Sequence, residues 1–111
     1  MRGDFLPSVL YINMATTKTA TKTQTEITYP QRYNVIFLND DFTPMPFVIH
    51  LLVEIFNKTI EDADAITQEI HEKGKAIVAT YNYEVAEQKV HEATLIARHG
   101  GHPLQIISEP V

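Results

Sequence analysis

The six residues Asn39-Asp40-Asp41-Phe42-Thr43-Pro44 separate two segments that cannot share one conformation. Before them, Tyr33-Asn34-Val35-Ile36-Phe37-Leu38 is rich in β-branched and aromatic residues and reads as a strand. After them, Met45–Phe56 has only Pro46, His50 and Glu54 as non-apolar positions, over a length that suits a helix. Thr43 is read as the helix cap, with Pro44 at the first helical position, where a missing N–H costs nothing. Pro46 still falls in the first turn, and the helix is expected to end near Asn57.

Local signals divide the remainder in the same way. Thr59 with Asp62 three residues later reads as a helix start, and Ile60, Ala63, Ile66 and Ile70 recur at helical spacing up to a stop at Gly74. Lys75–Tyr81 reads as a strand. Asn82 caps a third helix, patterned by Val85, Val90, Ala93, Ile96 and Ala97 and closed by Gly100-Gly101, and Leu104–Glu109 is a final strand. The order β-α-α-β-α-β with so few elements packs most economically as an α+β fold, a three-stranded antiparallel sheet packed on three helices.

At 111 residues the chain supports one small core. No apolar stretch is long enough to span a bilayer. Without cysteine there are no disulfides and no thiolate chemistry, and a reducing compartment is allowed. The net charge of −5 argues against a nucleic-acid partner. That charge is uneven: residues 1–31 carry three basic against two acidic residues, and the remainder six against twelve. Met14 to Thr28 holds seven threonines and almost nothing apolar, so residues 1–31 are expected to be a disordered extension and 32–111 the folded domain. The apolar stretch Phe5–Ile12 is short, broken by Pro7 and preceded by Asp4, which makes a poor secretory signal. Residues 1–13 read either as sequence upstream of a true start at Met14 or as part of a targeting peptide.

Several chemistries fail on spacing. His71-Glu72 and His91-Glu92 begin a helical zinc-protease signature, but the second histidine is replaced by Lys75 and Leu95. Gly74-Lys75 lacks the earlier glycine of a phosphate loop, where Glu69 stands. The only serines are Ser8 and Ser108. The five histidines show no ligand-like grouping with carboxylates, so no metal, no cofactor and no catalysis are expected.

What remains is an acceptor-rich turn beside surplus apolar surface, a combination suited to a cation attached to an apolar group. The plainer readings are that Asn39, Asp40 and Asp41 cap a helix, and that the helix after them is buried between the sheet and a neighbour. The functional reading has Met45, Val48 and Leu52 lining a cavity while Phe47, Leu51 and Ile55 fill the core. On the second helix Ile66, Thr67, Ile70 and His71 share a face.

Four blocks then resemble the ClpS adaptor family: Tyr33–Met45, His71-Glu72-Lys73-Gly74-Lys75-Ala76, Glu84–Val90 and Gly101-His102-Pro103-Leu104. They occur in order and cover roughly Arg32 to Glu109. The resemblance implies a non-enzymatic adaptor of the bacterial and plastid N-degron pathway. Such adaptors bind free N-termini that begin with Leu, Phe, Tyr or Trp, and deliver them to the N-terminal domain of a ClpA- or ClpC-type AAA+ unfoldase-protease. Carried over by residue, it places the ammonium group at Asn39, Asp40 and His71 with Asp41 adjacent. It places the hydrophobic pocket at Leu38, Thr43, Pro44, Met45, Val48, Thr67, Ile70 and Leu104, and the unfoldase contact at Glu84 and Lys89. A cytoplasmic monomer is implied, with the plastid stroma as the alternative location. Many members have methionine where this chain has Thr67, from which we expect an altered rim and a preference for aromatic over Leu N-termini. Pro46 also stands where an acidic residue is common. The competing reading is a regulator that docks on the unfoldase with its pocket unused.

Overall fold

The computed structural model describes residues 30–111, and the elements follow the expected order. Strand β1 (Arg32–Leu38) leads through the acidic turn into helix α1 (Met45–Glu54). Helix α2 (Ile60–Lys73), strand β2 (Lys75–Asn82), helix α3 (Tyr83–His99) and strand β3 (Gln105–Pro110) complete it. Of the 1–31 extension expected to be disordered, residues 1–29 lie outside the described residues. Among the described residues no helix is long and apolar enough to cross a membrane.

The first strand is the middle one. β1 pairs antiparallel with β2 on one side and β3 on the other, with a bulge opposite Val35/Ile36. Strand alternation sends Val35, Phe37, Ala76, Val78 and Ile106 into the core. On the opposite face Ile36 is still buried, because the register sets Ile77 and Ile107 on either side of it. Ile77 itself is half exposed there.

Helix α3 lies along all three strands. The residues it buries completely are Ala86, Ala93 and Ala97, since small side chains let a helix backbone sit close to a sheet. The larger residues expected on that face are displaced outward, and Ile96 is 38% exposed. Helix α1 packs against α2, and Phe56 just beyond α1 meets Phe37 edge-on with centroids 5.5 Å apart.

Two of the three expected caps form. The Thr59 hydroxyl accepts from the Asp62 N–H at 3.1 Å, and Asn82 Oδ1 accepts from the Val85 N–H at 3.0 Å. Thr43 is not the cap, because α1 begins one residue later with Pro44 at the cap position and no side-chain bond, and the Thr43 hydroxyl donates to Asp40 Oδ2 at 2.8 Å. Helix α1 also stops earlier than expected, at Glu54, and the chain leaves it through Asn57 at φ 57. A side chain from α3 closes that end: Lys89 Nζ donates to the Ile55 carbonyl at 2.7 Å, placing a cation where the helix dipole is negative.

Candidate functional site

The site depends on how α2 ends. Gly74 sits at φ 90, a left-handed conformation in which an L side chain is strained, and its N–H returns to the Ile70 carbonyl at 2.9 Å. Its own carbonyl accepts from the Asn39 N–H at 2.8 Å. That bond ties the turn after β1 to the last turn of α2 and so brings His71 to the acidic turn.

Within the turn Asp40 is the organiser. Its Oδ1 accepts from the Phe42 N–H at 2.8 Å and the Thr43 N–H at 2.7 Å, and its Oδ2 accepts the Thr43 hydroxyl. Partial burial pushes this carboxyl upward. The bonds from Phe42 and Thr43, together with the nearby positive form of His102, outweigh that and hold its pKa below the ordinary 3.8. Three inbound bonds occupy most of the roughly four lone-pair positions of a carboxylate. Asn39 and Asp41 are exposed, and neither makes a side-chain hydrogen bond among the described residues. Their acceptors are open to a ligand.

Below the turn lies a cavity of about 240 Å³. Leu38 closes it from β1; Asn39, Asp40, Asp41 and Thr43 form its polar side; Met45 and Val48 enter from α1. Thr67, Ile70 and His71 line it from α2, and Leu104 from the segment before β3. All the turn and pocket residues that the family resemblance implied therefore meet in one place except Pro44, which is exposed and whose carbonyl instead starts α1 by accepting from Phe47 and Val48. Leu52 and Ile66 are not lining residues. Leu52 is fully buried in the core, and Ile66 packs against it.

Thr67 is 3% exposed and donates its hydroxyl to the Ala63 carbonyl at 2.8 Å. It belongs to the buried wall and not to the rim, so its polar atom is already satisfied and a shorter side chain leaves room at depth. Glu84 and Lys89 lie on α3, outside the cavity. Glu84 is exposed in the first turn, while the Lys89 ammonium is held at the end of α1. At a separation of five residues the two do not share a helix face.

Sequence reading assigned Phe47 only to the core and missed the parts played by His102 and Arg98 beside this cavity. The His102 ring stacks on Phe47 with centroids 4.3 Å apart, and Arg98 Nη1 donates to the carbonyls of His102 and Leu104 at 3.0 and 2.7 Å. The usable signal was Gly100-Gly101 directly before His102, since the residue after such a helix stop usually packs against something.

A small α+β domain with an acid-rimmed, partly apolar cavity at the junction of β1, α1 and α2 is thus defined. The family model for the ATP-dependent Clp protease adaptor protein ClpS matches residues 28–107. The ATP-dependent Clp protease adapter protein ClpS of Maricaulis maris is 46% identical over 90 residues, covering 81% of this chain and 83% of that protein. The corresponding protein of Helicobacter hepaticus is 42% identical over 96 residues, covering 86% and 97%. The structure of Agrobacterium tumefaciens ClpS2 bound to L-phenylalaninamide superposes with a TM-score of 0.73 at 34% identity, covering 75% of this chain and all of that one. The chain belongs to the ClpS family of Clp protease adaptors, which are adaptors and not proteases.

Proposed function

We propose that this adaptor binds the free N-terminus of proteins whose first residue is large and hydrophobic, and delivers them in the cytoplasm to the N-terminal domain of a ClpA- or ClpC-type unfoldase. The observation that carries this reading is the cavity itself, apolar at depth and lined at its mouth by free acceptors on Asn39, Asp41 and His71. Its volume of about 240 Å³ lies below the roughly 300–1,000 Å³ of drug-sized sites and suits one large side chain. The Agrobacterium relative is described with L-phenylalaninamide, which joins a free amine to a benzyl group, the two features these surfaces complement.

Energetics require both features. An aromatic side chain buries about 150–250 Å², worth about 4–6 kcal/mol at roughly 25 cal/mol/Å². Micromolar affinity needs about 8 kcal/mol after the entropy of association is met. Charge-assisted bonds to the three ammonium donors supply the difference. With Asp40 occupied by the bonds from Phe42 and Thr43, we assign two roles within the turn. Asp40 shapes it, while Asp41 joins Asn39 and a neutral His71 as the direct acceptors. Met45 at the cavity edge excludes first residues branched at Cβ.

Fluorescence anisotropy with a Phe-initiated peptide and its N-acetylated form tests the reading. Tight binding of the free amine alone is expected. Equal binding of both would remove the ammonium role, and no binding of either would favour a regulator that docks on the unfoldase without using its cavity.

A further inference from the structure

The corner formed by Phe47, Gly100 and His102 has no role in the function proposed so far, yet it is tightly built. Helix α3 ends in a two-bond stop: the His102 N–H reaches the Ala97 carbonyl at 2.8 Å and the Gly101 N–H reaches that of Arg98 at 3.0 Å, with Gly101 at φ 79. An apolar residue after such a stop normally folds back on its own helix. His102 instead turns its ring onto Phe47 of α1. The ring also lies against Gly100, where a Cβ would come within 3.0 Å of its Cδ2. Arg98 then pins the carbonyls of His102 and Leu104.

The geometry points to His102 as a positioning residue of the cavity: its ring, clamped between Phe47 and Gly100, holds the segment carrying Leu104 against the start of α1 and beside the Asp40 turn. This rests on the N-terminus-binding reading for its functional consequence, but not for its structural one. Leu104 and Met45 lie on the two elements that this stack joins, so the stack sets the width of the apolar opening. The same ring is a titratable group near Asp40, and in its charged form it opposes an incoming ammonium. Ionisable groups on the elements meeting here include Asp40 and Asp41 in the turn, His50 and Glu54 on α1, His71, Glu72 and Lys73 in the last turn of α2, and Arg98 and His99 at the end of α3.

Two readouts test it. At pH 8, His102→Ala is expected to weaken a Phe-initiated peptide by about three- to tenfold, the range a stacked ring pair contributes. His102→Phe, which keeps a ring on Phe47, is expected to recover most of that loss. In the ligand-free protein, the backbone amide resonances of Phe42 and Thr43 are expected to move between pH 8 and pH 5. His102→Phe should remove at least half of the movement, and His71→Phe run in parallel assigns the rest. Parent-like affinity in folded His102→Ala, or an intact resonance response in His102→Phe, overturns the proposal. Should the parent bind no N-terminus at all, the N-degron reading fails, and the resonance experiment alone decides the place of His102.

Discussion

At its mouth the cavity is shaped by hydrogen bonds between residues two or three apart, whereas its wall is shaped by packing between elements far apart in the chain. Asp40 gathers Phe42 and Thr43 onto one carboxylate. Met45, Val48, Thr67, Ile70 and Leu104 are brought together only by the folding of α1, α2 and the approach to β3. A local, charged device gives fixed directions, which an ammonium requires. A packed apolar wall gives volume, which tolerates variation. The difference implies that a change at the mouth acts as a switch and one in the wall acts by degree.

The sharpest way to break that contrast is Asp40→Ala. It frees two backbone N–H groups and a hydroxyl at once, at about 1–3 kcal/mol of stability. Affinity for a Phe-initiated peptide is expected to fall at least about 100-fold, as misplaced acceptors forfeit about 3 kcal/mol of charge-assisted bonding. Asp41→Ala separates recognition from scaffolding. Its carboxylate supports nothing internally, so affinity should drop about tenfold while the melting temperature stays within about 2 °C of the parent. If both variants unfold early, Asp41 is also structural and the two carboxylates have no division of labour.

Acid provides a second separation. Because the folded pKa of Asp40 is depressed, its contribution to stability is fully present above the unfolded value of 3.8 and is lost as pH falls through the lower folded value. Between pH 8 and pH 5 Asp40 therefore keeps its charge. A protonated His71 has no lone pair to offer an ammonium, and below about pH 7 the peptide's own α-amine, with an ordinary pKa of about 7.7–8.0, stays charged. Affinity that is flat from about pH 7 to pH 5 would remove His71 from the acceptor set.

How much of this was visible in the sequence follows the same division. Thr59 and Asn82 were readable as caps because a cap is chosen by residues within one turn. Thr43 was readable in the same way, but α1 begins one residue later and Pro44 holds the cap position. On α3, Ala93 and Ala97 were legible as part of the buried stripe, whereas Ala86 was not and Ile96, patterned with them, is exposed. Asn39, Asp40, Asp41, Met45 and Val48 were legible as an acceptor-rich turn beside surplus apolar surface, but Leu38 and Leu104 came only through family resemblance, since no periodicity would have joined them. His102 escaped because its partner, Phe47, is 55 positions away and in another element. Gly74 lies between these cases: its helix stop was legible, but its bond to Asn39 was not. Gly74→Ala should cost about 1–2 kcal/mol through left-handed strain, and weaken binding by about threefold as Asn39 and His71 drift apart. Chemical denaturation and peptide titration on one sample would show whether the two losses travel together.

The wall gives the smallest expected effect and the most informative one about ligand choice. Thr67 is buried, its hydroxyl bound to Ala63, and its side chain is shorter than a methionine would be at that position. An aromatic first residue reaches far enough to fill that added depth, while a Leu side chain leaves it empty and forfeits contact. Thr67→Met should therefore tighten Leu-initiated peptides by about three- to fivefold and leave Phe-initiated ones equal or weaker, because one further buried methylene contributes about 0.8 kcal/mol. Competition between Leu- and Phe-initiated peptides reads that ratio directly. A Thr67→Met protein with the parent's Leu/Phe ratio would mean that selectivity is set at Met45 and Leu104, nearer the opening, and that depth at α2 plays no part in it.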